Sequence, residues 1–436
     1  MPGQPRKRPT QPLASARAVA RDLLEHVLAK GRTLDDAAGL VEGHARLEPR
    51  DRAFARLLAA SVLRRMGSLD AVLARCLDKS APPSPVRDIL RLGAAQLLLL
   101  GTPDHAAVGE TVALCTGRAQ SLKGLVNAVL RRVARDGKSL LSALDSARLD
   151  TPPWLWHILS TAYGDDIARA VAAVHAGNPP LDLTVRADPD LWAERLDAER
   201  LVTGTLRLPD AGGLAELPGF AEGAWWVQDA AAALPVRLLG DISGADVLDL
   251  CAAPGGKTLQ LAAGGGRVTA VDQSKKRLAR LSENLARTGM TATCVAADAA
   301  VWRPAAPVRH VLLDAPCTAT GTLRRHPEIA YLKSPADADK LVGVQDRLLD
   351  AAAEMTAPGG TLVYAVCSLD PREGRSRVAA FLKRNAAFER RKVTAAELGG
   401  CGELVDTNGD LLALPMHWAE KGGMDGFYAA RLVRKT

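Results

Sequence analysis

From about residue 226 onward, short apolar runs of strand character alternate with helical patterns, and this alternation limits the possible fold most strongly. Strand–helix alternation is typical of a parallel, doubly wound sheet. Because ligands of such sheets bind at the carboxyl ends of the strands, residues that follow a strand are the first candidates for a functional site. The predicted strands span 246–250, 267–272, 293–298, 310–316 and 360–368.

The first of these strands leads into DLCAAPGGKT, residues 249–258, whose end looks like a phosphate-binding P-loop. A P-loop requires glycine at the position that Cys251 occupies, so the pattern argues against an NTPase. The segment 254–256 still allows a ligand to approach the backbone at a helix N-terminus. Asp272 ends the next strand, about 20 residues further on, where a carboxylate can bind a ribose hydroxyl. The pattern predicts a nucleoside-containing cofactor, and an ordinary strand–helix turn is the alternative.

The N-terminal part has a different character. Residues 13–140 carry apolar residues at helical spacing, interrupted by Pro and Gly, which predicts an all-helical domain. Residues 1–140 hold 23 of the 56 Lys and Arg residues but only 13 of the 49 Asp and Glu residues, so the whole net charge of +7 originates there. Such an excess is typical of a nucleic-acid-binding module, with a merely solvated basic surface as the alternative. Arg131, Arg132 and Arg135 form a candidate basic ridge on the last helix.

Composition restricts the remaining classes. No uncharged apolar run reaches ~18 residues, so no membrane span is expected, and residues 1–12 are predicted to be a basic disordered tail rather than a secretory signal. Seven irregularly spaced cysteines argue against a disulfide framework and fit a cytoplasmic protein. No Cys-x-x-Cys or His-x-x-x-His pair is present, so no metal site is expected. Nothing indicates assembly, which favours a monomer.

Two cysteines stand where chemistry is expected. Residues 314–321 read DAPCTATG and residues 365–369 read AVCSL, so each cysteine follows a predicted strand at the same edge of the sheet. Cysteine is often an inert buried residue, and we interpret Cys76, Cys115 and Cys294 in that way. Cys317 and Cys367 are instead predicted to face one cleft.

Taken together, the motifs resemble those of RNA cytosine-5 methyltransferases. The matching segments are DLCAAPGGKT, AVDQSKKRLARLSENLARTG, AADA, LLDAPCTATGTLRRHPEI, VQDRLLDAA, LVYAVCSLDPREG and GGMDGFYAARL. With the helical N-terminal part, the chain resembles the RsmB/Sun (Fmu) branch, which methylates bacterial small-subunit ribosomal RNA. The resemblance implies an α/β fold: a Rossmann-like, S-adenosylmethionine-dependent methyltransferase domain (226–436), preceded by an all-α NusB-like RNA-binding domain (13–140) and a small α/β linker region (141–225).

The resemblance also implies roles for individual residues. Cys367 matches the nucleophile that adds to carbon 6 of cytosine, Cys317 matches the cysteine that assists product release, and Asp314 would bind the base or the cofactor. Asp272 matches the ribose-binding acid and Asp298 the acid near the adenine amino group. The loop that would hold the methionine part of S-adenosylmethionine consists of Cys251, Ala252, Ala253, Pro254, Gly255, Gly256 and Lys257.

Three points remain open at this stage. Lys257 is expected near the reacting centre, where a cation favours a thiolate. Arg324, Arg325 and His326 follow the Cys317 loop and are expected to contact RNA phosphates. The substrate implied by the resemblance is a cytidine in a single-stranded or loop region of ribosomal RNA; the alternatives are transfer RNA, or an RNA-binding factor with a silent methyltransferase domain.

Overall fold

The computed structural model describes residues 15–208 and 212–436, so the predicted basic tail lies outside the described residues. The chain divides into two compact units. None of the helices in these described ranges is long and apolar enough to cross a membrane.

The first unit consists of helices around one apolar core, which confirms the all-helical prediction. It contains described residues 15–151 and, from a distant part of the sequence, His326–Leu332. Its first elements are α1 (Ala16–Leu28), α2 (Leu34–Leu40), α3 (Glu42–Ala45), α4 (Pro49–Arg64), α5 (Met66–Cys76), α6 (Val86–Leu98), α7 (Asp104–Ala113), α8 (Lys123–Ser142) and α9 (Ser146–Asp150).

This helical unit extends past residue 140, where the sequence-based range ends. The Asp150 carboxylate at the end of α9 accepts hydrogen bonds from Arg65 Nε and from the Ser68 backbone N–H, each at 2.7 Å. Within the distant segment, the Tyr331 hydroxyl donates to the Leu63 carbonyl at 2.8 Å, and a Glu328 oxygen accepts from the Leu34 N–H at 3.3 Å. Specific hydrogen bonds therefore hold the segment in this unit.

The second unit begins at Pro152 and contains, in its described part, a small four-stranded antiparallel sheet with strand order β2-β3-β1-β4. The predicted linker region, which included LDLTVRAD as a strand, contains the first three of these strands in chain order, and the fourth begins at its last residue, Trp225. Its elements are α10 (Pro153–Tyr163), α11 (Asp165–His175), β1 (Leu181–Val185), α12 (Pro189–Leu196), β2 (Glu199–Arg200), β3 (Leu206–Leu208) and β4 (Trp225–Val227).

The main sheet of this unit has the order β10-β12-β9-β8-β5-β6-β7, with β11 paired to β12, counting the strands that the structure describes. The strands of this sheet and the helices between them are α13 (Ala230–Arg237), β5 (Asp246–Leu250), α14 (Gly256–Ala263), β6 (Arg267–Asp272), α15 (Lys275–Thr288), β7 (Thr293–Ala296), β8 (Val308–Asp314), α17 (Pro335–Met355), β9 (Thr356–Val366), α18 (Arg375–Arg384), β10 (Phe388–Arg390), β11 (Leu411–Ala413) and β12 (Phe427–Arg434). Helix α16 (Ile329–Leu332) lies between β8 and α17 in the sequence but belongs to the helical unit.

Strands β7, β6, β5, β8 and β9 are parallel, as predicted, and they form the Rossmann-like part of the sheet. Strand β12 runs antiparallel to β9, and β10 and β11 pair antiparallel with β12. The sheet is therefore mixed, with antiparallel strands added beside the predicted parallel part.

Helices cover both faces of the sheet, and the strand residues alternate between them. On β8, Val311 and Leu313 pack with residues of α17 and α18, whereas Leu312 packs with residues of α13 and α14. Alternation follows from the two-residue period of a strand, and burial on both faces explains why the parallel strands are almost continuously apolar. Both faces being covered, ligands can reach this sheet only at its edges and strand ends.

Candidate active site

The carboxyl ends of the parallel strands bring the predicted site residues to one edge of the sheet. Strand β5 ends at Leu250 and is followed by the glycine loop, while β6 ends at Asp272 and β8 at Asp314. Strand β9 ends at Val366, directly before Cys367. The register confirms the common edge, because Asp314 lies opposite Ala365 on the neighbouring strand.

The glycine loop has a conformation that its sequence requires. Gly255 has a φ of +109°, and a Cβ atom there would lie 2.2 Å from the Leu281 side chain, so only glycine fits. Cys251 adopts a φ of +62°, which is rare for a residue with a side chain. The buried Ala253 donates its N–H to Asp272 Oδ2 at 3.1 Å, which joins the loop to the next strand end. Helix α14 then begins at Gly256.

A pocket of about 240 Å³ lies beside this loop. It is lined by three of the predicted cofactor residues, Cys251, Asp272 and Asp298. Sequence reasoning missed the rest of its lining, which comprises Val271, Gln273, Arg277, Ala297, Ala299, Ala300, Pro316, Val344, Arg347 and Leu348. The last three lie on α17, whose helical pattern identifies a packing face but carries no motif.

The two acids in the pocket are held differently. Asp272 is buried and accepts a hydrogen bond from the Ser274 N–H at 2.8 Å, with Arg277 3.5 Å away. Asp298 is exposed and accepts from the Ala300 N–H at 2.9 Å, so its carboxylate stabilises a turn at the pocket wall. A carboxylate oxygen has more than one lone pair, and both acids keep acceptor capacity for the hydroxyl or amino groups of a nucleoside.

Asp249, inside the motif yet absent from the predicted site, is fully buried on β5. Its Oδ2 accepts from the Thr258 hydroxyl at 2.5 Å, while its Oδ1 has no hydrogen-bond partner among the described residues. Burial raises the pKa of Asp249 to about 7, despite the hydrogen bond from Thr258. An orphaned buried acceptor beside the loop fits a cationic or amino-bearing ligand there.

The two cysteines form the centre of the candidate active site. The sulfur atoms of Cys317 and Cys367 lie 3.4 Å apart in a partly buried position. The hydrogen bond with Cys367 and burial raise the pKa of Cys317 well above its usual value. Burial also raises the pKa of Cys251, which is inert as a nucleophile.

A buried ion pair stands next to the cysteines. Lys257 Nζ lies 2.8 Å from Asp314 Oδ2 and 4.6 Å from the centre of the Phe427 ring. Burial works to lower the pKa of Lys257, but the charge and hydrogen bond of Asp314 outweigh it and raise the pKa. Cys367 contributes in the same direction, which places its sulfur within electrostatic reach of the ammonium group.

The remaining cysteines are unremarkable in their surroundings. All of them are free thiols in the described ranges, and Cys76, Cys115 and Cys401 are buried. Cys294 is half-buried on β7. The absence of disulfides among these residues agrees with the irregular cysteine spacing.

The prediction that Arg324 contacts RNA phosphates is wrong. Its side chain is fully buried; it donates to Asp229, and its Nε lies 2.8 Å from Asp425 Oδ1. Arg325 Nη2 lies 2.7 Å from Asp229 Oδ2, and its side chain is only 19% exposed. A buried guanidinium needs carboxylate partners, and these arginines fix the end of the Cys317 loop instead of binding RNA. His326 belongs to the helical unit.

This sheet, with its glycine loop and its pocket at the strand ends, defines a Rossmann-like methyltransferase. Residues 237–433 match the model of the 16S rRNA methyltransferase RsmB/F family, and residues 14–135 match the NusB family. The chain belongs to the RsmB/F family of methyltransferases and carries a NusB-family region before it.

Curated relatives support this assignment over most of the chain. A protein of Pseudomonas syringae pv. tomato named ribosomal RNA small subunit methyltransferase B is 38% identical, covering 89% of this chain and 90% of the relative. A protein of the same name from Salmonella arizonae is 35% identical over 96% of this chain and 98% of the relative.

Solved structures show the same fold. The crystal structure of PH0851 is 21% identical with a TM-score of 0.71, covering 98% of this chain and all of the other. NSun6 from Pyrococcus horikoshii is 17% identical with a TM-score of 0.56, covering 65% of this chain and 98% of the other. The expected Rossmann-like fold after a NusB-like helical region is thereby confirmed.

Proposed function

We propose that the protein transfers a methyl group from S-adenosylmethionine to carbon 5 of a cytidine in small-subunit ribosomal RNA. The observation that carries the proposal is the 3.4 Å separation of Cys317 and Cys367 at the ends of neighbouring strands. Covalent catalysis at a pyrimidine needs a thiolate for addition and a second group for the elimination step. Two sulfurs in contact supply both.

Cofactor binding is proposed on the chemistry of the pocket. S-adenosylmethionine supplies an electrophilic methyl group on a sulfonium. Asp272 and Asp298 are suited to its ribose and adenine groups, and both line the 240 Å³ pocket. The loop from Cys251 to Lys257 would hold the methionine part, with Asp249 Oδ1 as the nearby unpaired acceptor.

The proposed reaction assigns a different step to each of the two thiols. The Cys367 thiolate adds to carbon 6 of cytosine, and carbon 5 then attacks the methyl group. Removal of the proton from carbon 5 and expulsion of the Cys367 thiolate restore the aromatic ring. Cys317, whose sulfur lies 3.4 Å from that of Cys367, is proposed to accept the carbon 5 proton in its thiolate form during release, because the contact with Cys367 and burial raise its pKa and make that thiolate a strong base.

Lys257 and Asp314 are proposed to stabilise charge at the reacting centre. The Lys257 ammonium stays charged through its pair with Asp314 and would stabilise a negative charge on Cys367. Asp314, with 30% of its side chain exposed, retains access for a hydrogen bond to the cytosine edge. A base that reaches this edge must be unstacked, which favours a single-stranded or loop cytidine.

The ribosomal substrate is supported by the names of the curated relatives and by the NusB-family region. Transfer of tritiated methyl from S-adenosylmethionine to unmodified ribosomal RNA and to unmodified transfer RNA, in separate reactions, distinguishes the two substrates. We expect label in 5-methylcytidine of the ribosomal RNA. A silent methyltransferase domain would label neither RNA.

The cysteine roles are tested with three variants. Cys367→Ala is expected to abolish transfer, and Cys317→Ala to accumulate a denaturant-resistant RNA–protein adduct on a gel. Cys294→Ala, a half-buried cysteine away from these loops, is the matched control and should transfer like the wild type. Full activity of Cys367→Ala would disprove the nucleophile assignment.

A further inference from the structure

Glu373 has no role in the chemistry above, yet it is fully buried between the two cysteine loops. Its Oε1 accepts hydrogen bonds from the Thr318 N–H at 2.9 Å and from Gln345 Nε2 at 3.0 Å. Its Oε2 accepts from the Thr318 hydroxyl and, at 2.5 Å, from the Ser368 hydroxyl. One carboxylate therefore receives four donors.

The positions of these donors in the sequence show which segments the Glu373 carboxylate connects. Thr318 directly follows Cys317, and Ser368 directly follows Cys367. Gln345, on α17, donates also to the carbonyl of Pro316 at 2.9 Å, just before the first cysteine. The Glu373 carboxylate thus joins the residues that flank both sulfurs, although the cysteines are 50 residues apart in sequence.

Residues around this carboxylate extend the network. The Ser368 hydroxyl lies 3.2 Å from the hydroxyls of Thr318 and of Thr320, and the Thr320 hydroxyl accepts from the Leu369 N–H at 2.9 Å. The backbone carbonyl of Glu373 accepts from the buried Tyr364 hydroxyl at 2.6 Å. The backbone of Glu373 is thus held from the strand side, while its carboxylate is held from the loops and α17.

We propose that Glu373 is a positioning residue that holds the two cysteine loops together so that both sulfurs face one base. This proposal rests on the proposed function for its catalytic meaning. Hydrogen bonds to an ionised acceptor are stronger than neutral ones, and four of them allow the charge to be buried. A misplacement of about 1 Å at a reacting atom can cost a factor of about 100 in rate.

Glu373 also acts electrostatically on Cys317. Its negative charge adds to the causes that raise the pKa of Cys317, after the hydrogen bond with Cys367 and burial. Loss of that charge is expected to make Cys317 easier to ionise and to shift the pH profile of adduct release to lower pH.

The test uses a probe of sulfur separation that requires no RNA. Phenylarsine oxide condenses with two adjacent thiols to form two arsenic–sulfur bonds and water. We expect the full-length wild type to bind it tightly, Cys317→Ala and Cys367→Ala to lose tight binding, and Glu373→Gln to bind at least tenfold more weakly. In methyl transfer, kcat of Glu373→Gln should fall about 10- to 100-fold while KM for S-adenosylmethionine stays within about twofold.

Controls separate positioning from folding. Glu389→Gln, an exposed glutamate on β10, should behave like the wild type in both assays. Thr318→Val removes one donor with little change of shape and should weaken arsenical binding even if Glu373→Gln does not fold. Wild-type arsenical affinity in folded Glu373→Gln or in Thr318→Val, or weak binding by the wild type itself, overturns the proposal. If the arsenical results hold but no protein methylates cytidine, the proposed function fails and the positioning role stands.

Discussion

Lys257 and Asp314, from the glycine loop and from the end of β8, form an ion pair of 2.8 Å. The pair joins two motifs that lie far apart in the sequence, the proposed cofactor loop and the strand end that leads to Cys317.

Asp314→Asn should leave the Lys257 ammonium buried without a counter-charge. Removing one partner of a buried pair costs about 3–5 kcal/mol, and the partial exposure of Asp314 reduces this to about 1–3 kcal/mol. Urea denaturation of Asp314→Asn, Lys257→Met and the double variant measures the coupling between the two residues. Glu354→Gln, which breaks the exposed pair with Arg303, is the control and should change the free energy of unfolding by less than about 1 kcal/mol. Additive effects in the double variant would contradict this prediction.

Gly255→Ala should destroy the cofactor loop for two reasons, a disfavoured positive φ and a collision with Leu281. We expect a loss of about 3 kcal/mol or more in stability and loss of S-adenosylmethionine binding in calorimetry. Gly240→Ala isolates the first reason, because Gly240 has a φ of +76° with nothing within 4 Å of its Cβ position. Gly240→Ala should lower the free energy of unfolding by only about 1 kcal/mol and bind the cofactor normally. Equal losses in the two variants would show that the collision is absent.

Because the pKa of Asp249 is raised, the free energy of unfolding of the cofactor-free protein is expected to depend on pH. Burial raises its folded-state pKa to about 7, so its contribution to stability is complete below its ordinary pKa and is lost as the pH rises towards 7. Asp249→Asn cannot titrate, and its stability relative to the wild type should improve by about 3–4 kcal/mol between pH 4 and pH 7.5. Urea denaturation at several pH values measures this difference. Asp246→Asn, at an exposed position of the same strand, should show no such relative gain.

The helical unit should contribute ionic contacts to RNA. Arg131 and Arg135 are exposed on α8, and Arg131→Glu with Arg135→Glu should weaken RNA affinity and flatten its dependence on salt, because fewer counterions are released. Arg280→Glu, an exposed arginine on α15, should leave the salt slope of the full-length protein nearly unchanged. Filter binding at several salt concentrations checks this, and equal slopes for the wild type and the α8 variant would contradict it.

Much of the fold could be predicted because its signals are local. The parallel strands β5, β6, β8 and β9 are apolar runs of the right length, and Gly289 ends α15 with a positive φ as its sequence position indicates. Strand β12 could not be assigned in the same way, since Phe427–Arg434 gives no sign of which neighbour it pairs with. Strand pairing depends on contacts between distant residues, which periodicity does not record.

The residues of the candidate site likewise divide into those that the sequence predicts and those that depend on contacts between distant residues. The motif cysteines and Asp272 lie at strand ends, where a sequence pattern has a direct geometric meaning. The pocket residues of α17 and the Glu373 contacts arise only when α17 and the two loops meet. Arg324 illustrates the opposite error, because a basic residue beside an active loop resembles an RNA contact until its three-dimensional neighbours, Asp229 and Asp425, are known.

Because His326–Leu332 belongs to the helical unit, the two units do not correspond to two separate stretches of the gene. A truncation after Thr151 would remove the segment His326–Leu332, including Tyr331 and Glu328, from the helices that it contacts. A single cut in the sequence therefore cannot yield both units with all of their residues.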